Sequence, residues 1–365
     1  MPFQIIRDDI TRVRADAIVN TANPMPVIGD GTDLAIYRAA GEKQLLAERK
    51  KIGEIRPGGA AKTPAFGLHA RYIIHTVGPE WAGGAHGERE TLAACYANSL
   101  ALAAELSCES VAFPLIATGV YGFPKDEALQ IALAEIGKFL LTHEMRVTLV
   151  VFDRGAVELS RALTGEIEEY IDDHAAFLIR ESEFDGGRAM RRRQNREERR
   201  FMESRHPRMP DAALPCEFTD AEPGLDYEAE AGPFSGIFSA AGGKSLEQIL
   251  AEKEETFQQR LFRLIDESGM DDVTVYKKAN IDRKVFSRIR CKPDYRPKKR
   301  TAVAFAIALR LDMPAMTDLL SRAEIAFSPS STFDLIVSYF VSRKNYDIFE
   351  INAALFKYGQ PILGE

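Results

Sequence analysis

Two glycine-bearing stretches hold the residues best suited to chemistry. The first runs from Asn20-Thr21-Ala22-Asn23-Pro24 to Gly29-Asp30-Gly31-Thr32-Asp33. The second is Thr118-Gly119-Val120-Tyr121-Gly122-Phe123-Pro124. Glycine lets a main-chain N–H approach an anion closely, because no Cβ stands in the way. Each stretch leads toward an expected helix start, near Asp33 and near Lys125. A helix start adds free N–H groups and a partial positive charge. Facing each other, two such turns would cradle a diphosphate without a metal ion, whereas either one alone is no more specific than a tight turn.

Such turns need a sheet to hold them. Ala17-Ile18-Val19, Tyr72-Ile73-Ile74, Val111 to Leu115 and Val147 to Phe152 read as short buried strands, with amphipathic stretches at Glu90 to Leu106 and Lys125 to Leu141 between them. This alternation predicts an α/β fold with helices on the faces of a sheet. In such folds the ligand sits at the carboxyl ends of the strands, which is where both glycine stretches fall. The chain has 365 residues, 45% of them hydrophobic, and a net charge of -7. That suits two globular domains and promises no bulk affinity for nucleic acid. The four cysteines, Cys95, Cys108, Cys216 and Cys291, form no CxxC pair, which argues against structural zinc and a disulfide framework and for a cytoplasmic setting. No signal peptide is visible at Met1-Pro2-Phe3-Gln4, and the longest apolar runs are too short to span a bilayer.

Five motifs stand in order over residues 1 to 175: Asp9-Ile10-Thr11; Asn20-Thr21-Ala22-Asn23; Gly29-Asp30-Gly31-Thr32-Asp33 with Ala39-Ala40-Gly41; Ile74-His75-Thr76-Val77-Gly78-Pro79; and Thr118 to Pro124. In this arrangement the chain resembles the macrodomain family, whose members bind ADP-ribose and its derivatives. The resemblance implies a three-layer α/β/α domain with a mixed central sheet. It assigns Asp9 to the adenine amino group, Ile10 and Phe152 to the base, and Asn20 and Asn23 to the distal ribose. Gly31 and Thr32 fall to the first phosphate loop, and Thr118, Gly119, Val120, Tyr121 and Gly122 to the second. His75 receives no catalytic part. Hydrolytic members use an Asn and an Asp at positions matched by Asn23 and Asp33, so the resemblance implies hydrolysis of mono-ADP-ribosyl-protein or O-acetyl-ADP-ribose without metal or cofactor. The alternatives are a non-catalytic ADP-ribose reader and a ligand-sensing regulator. Three residues depart from the family pattern: Asp30 replaces a glycine and is expected to point to solvent, Thr32 replaces a valine, and Pro24 restricts Asn23 to extended geometry.

The chain is expected to divide into a domain resembling macrodomains over 1–180, a charged linker over 181–244 and an all-α domain over 245–365. The linker begins with a basic run, Arg191-Arg192-Arg193, Arg196, Arg199 and Arg200, and continues into an acidic, proline-bearing stretch. In the last part, Leu261, Leu264 and Ile265 share a helical face, and Ala302 to Leu311, Met316 to Leu320 and Phe333 to Val341 read as further helices. Residues 273–291 read as helix, tight turn, helix. Asn280 tolerates the left-handed turn conformation, and Asp282 is a good N-cap. Residues 256 to 325 resemble Cro- and repressor-like regulators in layout. Between Lys277 and Arg300 stand eleven Lys or Arg and two Asp, a net +9 over 24 residues, a charge suited to phosphates. If this part meets DNA, Arg283, Lys284, Ser287 and Arg288 would reach the major groove, and Lys298, Lys299 and Arg300 the backbone. Otherwise its charge is solvated or meets a protein partner.

Overall fold

The computed structural model describes residues 2–152, 157, 159–160, 162–173 and 255–364. The expected linker, its basic run and the first residues of the expected helical domain lie outside them. Six strands form one sheet in the order β1-β6-β5-β2-β4-β3: β1 (Phe3–Arg7), β2 (Ala17–Thr21), β3 (Ala60–Pro64), β4 (Tyr72–Thr76), β5 (Ser110–Pro114) and β6 (Arg146–Val151). Only the β3–β4 pairing is antiparallel, so the sheet is mixed. The strand period of two sorts the side chains. Ala17 and Val19 enter one core with Leu92, Tyr96, Leu129 and Ile136, while Ile18 enters the other with Ile36, Tyr37 and Leu45. The first core lies under α3 (Glu88–Glu105) and α4 (Lys125–Thr142), and the second under α1 (Thr32–Ala40) and α2 (Glu42–Ile52). Three layers result.

Residues 162–173 form a further helix, α5. The C-terminal part is all-α: α6 (Phe257–Ser268), α7 (Asp272–Lys278), α8 (Arg283–Cys291), α9 (Lys299–Ala308), α10 (Met313–Ser321), α11 (Thr332–Ser342) and α12 (Ile348–Lys357). Five of these helices start on side-chain caps, with a full capping box at Thr256 and Gln259 and caps at Asp282, Asp312, Ser331 and Asp347. Helix α9 is buried nearly all round, from Thr301 to Ala308, as the central helix of a bundle must be.

This bundle packs against the α/β part within one compact unit. Phe349 of α12 stacks edge-on against Phe3, ring centroids 5.2 Å apart. It also lies against Gly137 of α4 so closely that a Cβ there would stand 2.9 Å from its ring. Asn280 holds the free edge of β1, taking the Phe3 N–H at 2.8 Å and giving a hydrogen bond to the Phe3 carbonyl at 2.9 Å. Helix α5 meets the bundle through Tyr339 on Glu166 (2.7 Å) and Lys357 on Thr164 (2.7 Å).

Candidate functional site

Strand β2 ends at Thr21 and delivers Asn23 half-exposed beyond the sheet edge. The chain then loops to Gly29 and enters α1 through Gly31, whose φ of +61° suits glycine. Asp33, in the first turn of α1, is 2% exposed. It accepts the Gly29 N–H and an Asn20 amide hydrogen, each at 2.6 Å, and so ties the loop to the sheet. Glycine fits at 29 because a Cβ would stand 2.8 Å from Asn23 Nδ2 and 3.3 Å from Asp33 Oδ2. Burial raises the Asp33 carboxyl above its ordinary pKa, against the pull of the Gly29 N–H, Asn20 and Arg49. Asp30 is exposed, and Thr32 opens α1 half-buried.

Asn20 and Asn23 are both expected at the distal ribose, and in the structure they differ in depth. Asn20 is fully buried, with Nδ2 on Asp33 and on His75 Nδ1 at 3.1 Å. Its Oδ1 has no hydrogen-bond partner. Flipping the carboxamide would set oxygen against carboxylate, so the orientation is fixed. Burial drives the His75 pKa down to about 3. The neutral ring accepts from Asn20 at Nδ1 and donates from Nε2 to Thr63 Oγ1, 2.9 Å away. Asn20 and His75 thus form the support under Asp33. The strand period of two sets Asn20 on the face of Ile18, beneath α1, a signal that could have found this. A residue that sequence reasoning missed completes this support: Arg49 of α2 is 1% exposed and bonds the carbonyls of Asn23 (3.1 Å) and Pro24 (3.0 Å).

The second glycine stretch follows β5. Ala117 takes φ +63° and Gly122 φ +66°. The turn closes on itself through Phe123 N–H to the Ala117 carbonyl and Gly122 N–H to the Gly119 carbonyl, both 3.0 Å. Thr118 Oγ1 binds the Leu115 carbonyl at 3.0 Å. The tip stands open: Val120 is 82% exposed, and a Cβ on Gly119 would meet nothing within 4 Å. The Tyr121 hydroxyl lies 3.4 Å from Asn23 Oδ1, so the two stretches come together beyond the strand ends. Trp81 braces this second stretch, its main-chain N–H on the Tyr121 carbonyl at 2.9 Å and its ring 4.6 Å from that of Phe123. The loop before α3 is pinned by the Glu88 carboxylate, which accepts the N–H groups of Ala82, Gly84 and His86. Neither Trp81 nor Glu88 was anticipated.

At the far end of the same edge, Asp9 caps a single 3-10 turn at Ile10–Arg12. Its Oδ1 takes both the Thr11 hydroxyl (2.7 Å) and the Thr11 N–H (2.9 Å), which hold the carboxyl below its ordinary pKa. Ile10 is 7% exposed, and Phe152, just past β6, is 81% exposed. Asp8 N–H bonds the Val151 carbonyl and Arg7 the Phe152 carbonyl, which sets Asp9 and Phe152 together. The groups at the ends of β1, β6, β5 and β2 therefore follow one another along adjacent strands.

On α8, Arg283, Lys284, Ser287 and Arg288 are exposed while Phe286 and Ile289 point inward. Asn280 has φ +53°, and Asp282 caps the Lys284 N–H at 2.8 Å, as the turn chemistry predicts. Lys299 does not stand ready for a phosphate. Its ammonium is committed to the buried Asp334 (2.6 Å) and the Ala326 carbonyl (2.8 Å). Lys298 and Arg300 flank it and have interactions of their own. A cavity of 390 Å³ beside the start of α8 is lined by Arg146, Lys277, Arg283 and Lys284, and by Glu109 and Glu144. Among the described residues no group of three His, Cys, Asp or Glu is placed to hold a metal, and no helix is long and apolar enough to cross a membrane.

Comparison with known proteins places relatives over the same stretch. The Macro domain family model matches residues 19–132. A macro domain-containing protein of Mesorhizobium japonicum is 47% identical over 159 residues, 43% of this chain and 90% of that protein. A protein of Klebsiella pneumoniae named O-acetyl-ADP-ribose deacetylase is 46% identical over 165 residues, 44% of this chain and 94% of that protein. A solved structure described as the Oceanobacillus iheyensis macrodomain with ADP is 37% identical, covering 42% of this chain and 85% of that one, with a TM-score of 0.41.

Proposed function

The chain belongs to the macro domain family, and on that premise we propose that its α/β part binds ADP-ribose derivatives and hydrolyses O-acetyl-ADP-ribose or mono-ADP-ribosyl-protein. The observation that carries this reading is the approach of Tyr121 to Asn23 across the cleft. Four strand ends in sheet order would take the ligand in its own order. Adenine lies on Phe152 and Ile10 with its amino group toward Asp9, the diphosphate lies on the turn at 118–122, and the distal ribose lies at Asn23. Three inter-strand steps of about 4.8 Å make roughly 14 Å, on the scale of such a ligand. Asn23 holds a ribose hydroxyl. Asp33 orients a water and takes its proton as the water attacks the acyl carbonyl. That proton passes to the departing ribose oxygen, leaving ADP-ribose and a carboxylic acid. Calorimetry with ADP-ribose, run beside turnover of O-acetyl-ADP-ribose and of a mono-ADP-ribosylated protein, tests the assignment. Heat with product supports it, heat without product leaves a reader, and no heat removes the nucleotide site.

We further propose that α7, the Asn280 turn and α8 act as a Cro-like helix-turn-helix that brings this cytoplasmic protein to DNA or a protein partner. The exposed face of Arg283, Lys284, Ser287 and Arg288 supports it, and Glu109 and Glu144 beside that face oppose it. Duplex DNA titrated at rising salt should show a steep loss of affinity, with a shallower slope by about one for each phosphate-contacting cation replaced by alanine. Equal affinity and slope for Arg283→Ala, Arg288→Ala and the parent would remove DNA as the partner. A shift on adding ADP-ribose would reveal the ligand-sensing alternative, and the coupling must then be reciprocal.

A further inference from the structure

The residue that the proposed chemistry leaves unexplained is Arg49. A cation taken out of water costs stability unless something answers its charge, yet Arg49 is 1% exposed. Its guanidinium bonds the carbonyls of Asn23, Pro24 and Gly53. These partners are neutral main-chain groups, and they take up three of its hydrogen bonds without cancelling its charge. The groups that feel that charge surround the cleft floor: Asp33 and Tyr37 on α1, and His75 on β4.

We propose that Arg49 is a positioning residue for the hydrolytic site, clamping the Asn23–Pro24 turn from below and setting a buried positive field under Asp33. The inference rests on the hydrolytic reading of Asn23 and Asp33. The clamp acts at one end, because the two carbonyls it holds belong to the successive peptide groups on either side of Pro24, which fixes the main chain that carries the Asn23 carboxamide. The Ile55 N–H shares the Pro24 carbonyl at 3.0 Å and anchors the same turn to the segment after α2. The field acts at the other end. Asp33 also faces the Gly29 N–H and Asn20, with Tyr37 beside it on α1, His75 beyond Asn20 on β4, and Tyr121 across the cleft. Tyr37 and Tyr121 hold their protons, burial pushing Tyr37 up to about 12 and raising Tyr121, and His75 is neutral. That leaves Arg49 as the charged group among them that favours a carboxylate at 33.

The full chain with Arg49→Met and with Arg49→Lys tests this through two readouts. In aspartate-labelled protein, the carboxyl carbon of Asp33 is followed by NMR as pH is raised. With Arg49→Met the Asp33 midpoint moves to higher pH, and with Arg49→Lys it stays near the parent. In turnover of O-acetyl-ADP-ribose, Arg49→Met lowers kcat by about 10²-fold, the loss that a slight misplacement of a reacting group can cause. KM changes little, and the acid limb of the pH profile moves with the Asp33 midpoint. Arg49→Lys keeps the charge but cannot span three carbonyls, so it recovers the pH profile and only part of kcat. An unmoved Asp33 midpoint in Arg49→Met, or parental kcat in either variant, overturns the proposal. If Arg49→Met does not fold, Arg49→Lys decides the clamp alone: a lowered kcat at parental KM supports it, and parental kcat overturns it. The NMR titration needs no turnover. A parent chain that binds ADP-ribose without hydrolysing it would end the hydrolytic reading while the Asp33 shift still judged the field of Arg49.

Discussion

Asp33→Ala slows turnover by about 10²–10⁴-fold, the usual contribution of a positioned base, and leaves ADP-ribose affinity within about tenfold of the parent. Two facts motivate the asymmetry. The carboxylate lies beneath the loop that ends at Gly29, beside the ribose end of the proposed ligand and far from the adenine end at Asp9 and Phe152. It also holds the Gly29 N–H and Asn20, so its removal loosens one wall and leaves the Tyr121 wall intact. The pH dependence follows from the sign of its shift. Burial raises the Asp33 pKa above the ordinary carboxylate value, so the acid limb of kcat/KM should lie above the ordinary Asp range, with activity growing as pH rises through it. The same sign makes the buried charge costly. Stability attached to protonated Asp33 is complete below the ordinary Asp pKa and fades as pH climbs through the raised one. Steady-state kinetics with parallel calorimetry check the prediction. Turnover within threefold of the parent would clear Asp33 of a catalytic role. Affinity lost together with turnover would assign it to holding the loop.

Asn280→Ala destabilises the chain by about 3–5 kcal/mol. The position is 1% exposed, and its carboxamide serves three main-chain groups: the Phe3 N–H, the Phe3 carbonyl and the Leu363 carbonyl. Strand β1 is an edge strand, so on its outer side the peptide groups have no strand partner. A carboxamide is chemically a short peptide group, and here it takes the place of the missing strand. Truncation leaves buried donors and acceptors unmet at about 1–3 kcal/mol each, and forces alanine to φ +53°, a further cost of about 1 kcal/mol or more. Asn280→Gly removes the backbone term and keeps the hydrogen-bond term, so it should fall short of the alanine loss by about that amount. Urea unfolding separates the two, provided a single transition is seen. Less than about 1 kcal/mol from both variants would mean that β1 is held by apolar packing such as Phe3 on Phe349 and that the carboxamide adds little.

Elements with strong local character were legible in the chain itself. Four strands showed as buried apolar runs, and α3, α4 and α9 began and ended within a few residues of their expected bounds. The Asn280–Asp282 turn followed from residue type. The strands that escaped are both at edges. Phe3–Arg7 has its apolar run broken by Gln4 and ended by Arg7, and Ala60–Pro64 carries Lys and Pro, which speak against a strand. Each forms because a neighbour supplies a ladder. Helix α12 was not anticipated, though Asp347 caps it.

At the site, the two glycine turns could be read from residue type and spacing, because close approach to a phosphate demands glycine whatever surrounds it, while the parts given to Asp33 and Phe152 came from the family resemblance. Depth could not. Asn20, with Asn23 three positions on, looked like a second ribose contact until the helix above it turned it into a support for Asp33. Arg49 sits in Glu48-Arg49-Lys50-Lys51, which reads as a solvated charged face. Lys299 sits in a run of cations and instead pairs with a buried carboxylate. Local sequence determines which backbone shapes and donor groups are at hand. Whether a polar side chain faces solvent, a ligand or the interior depends on which distant element comes to cover it, and that is settled only when the sheet and its helices close.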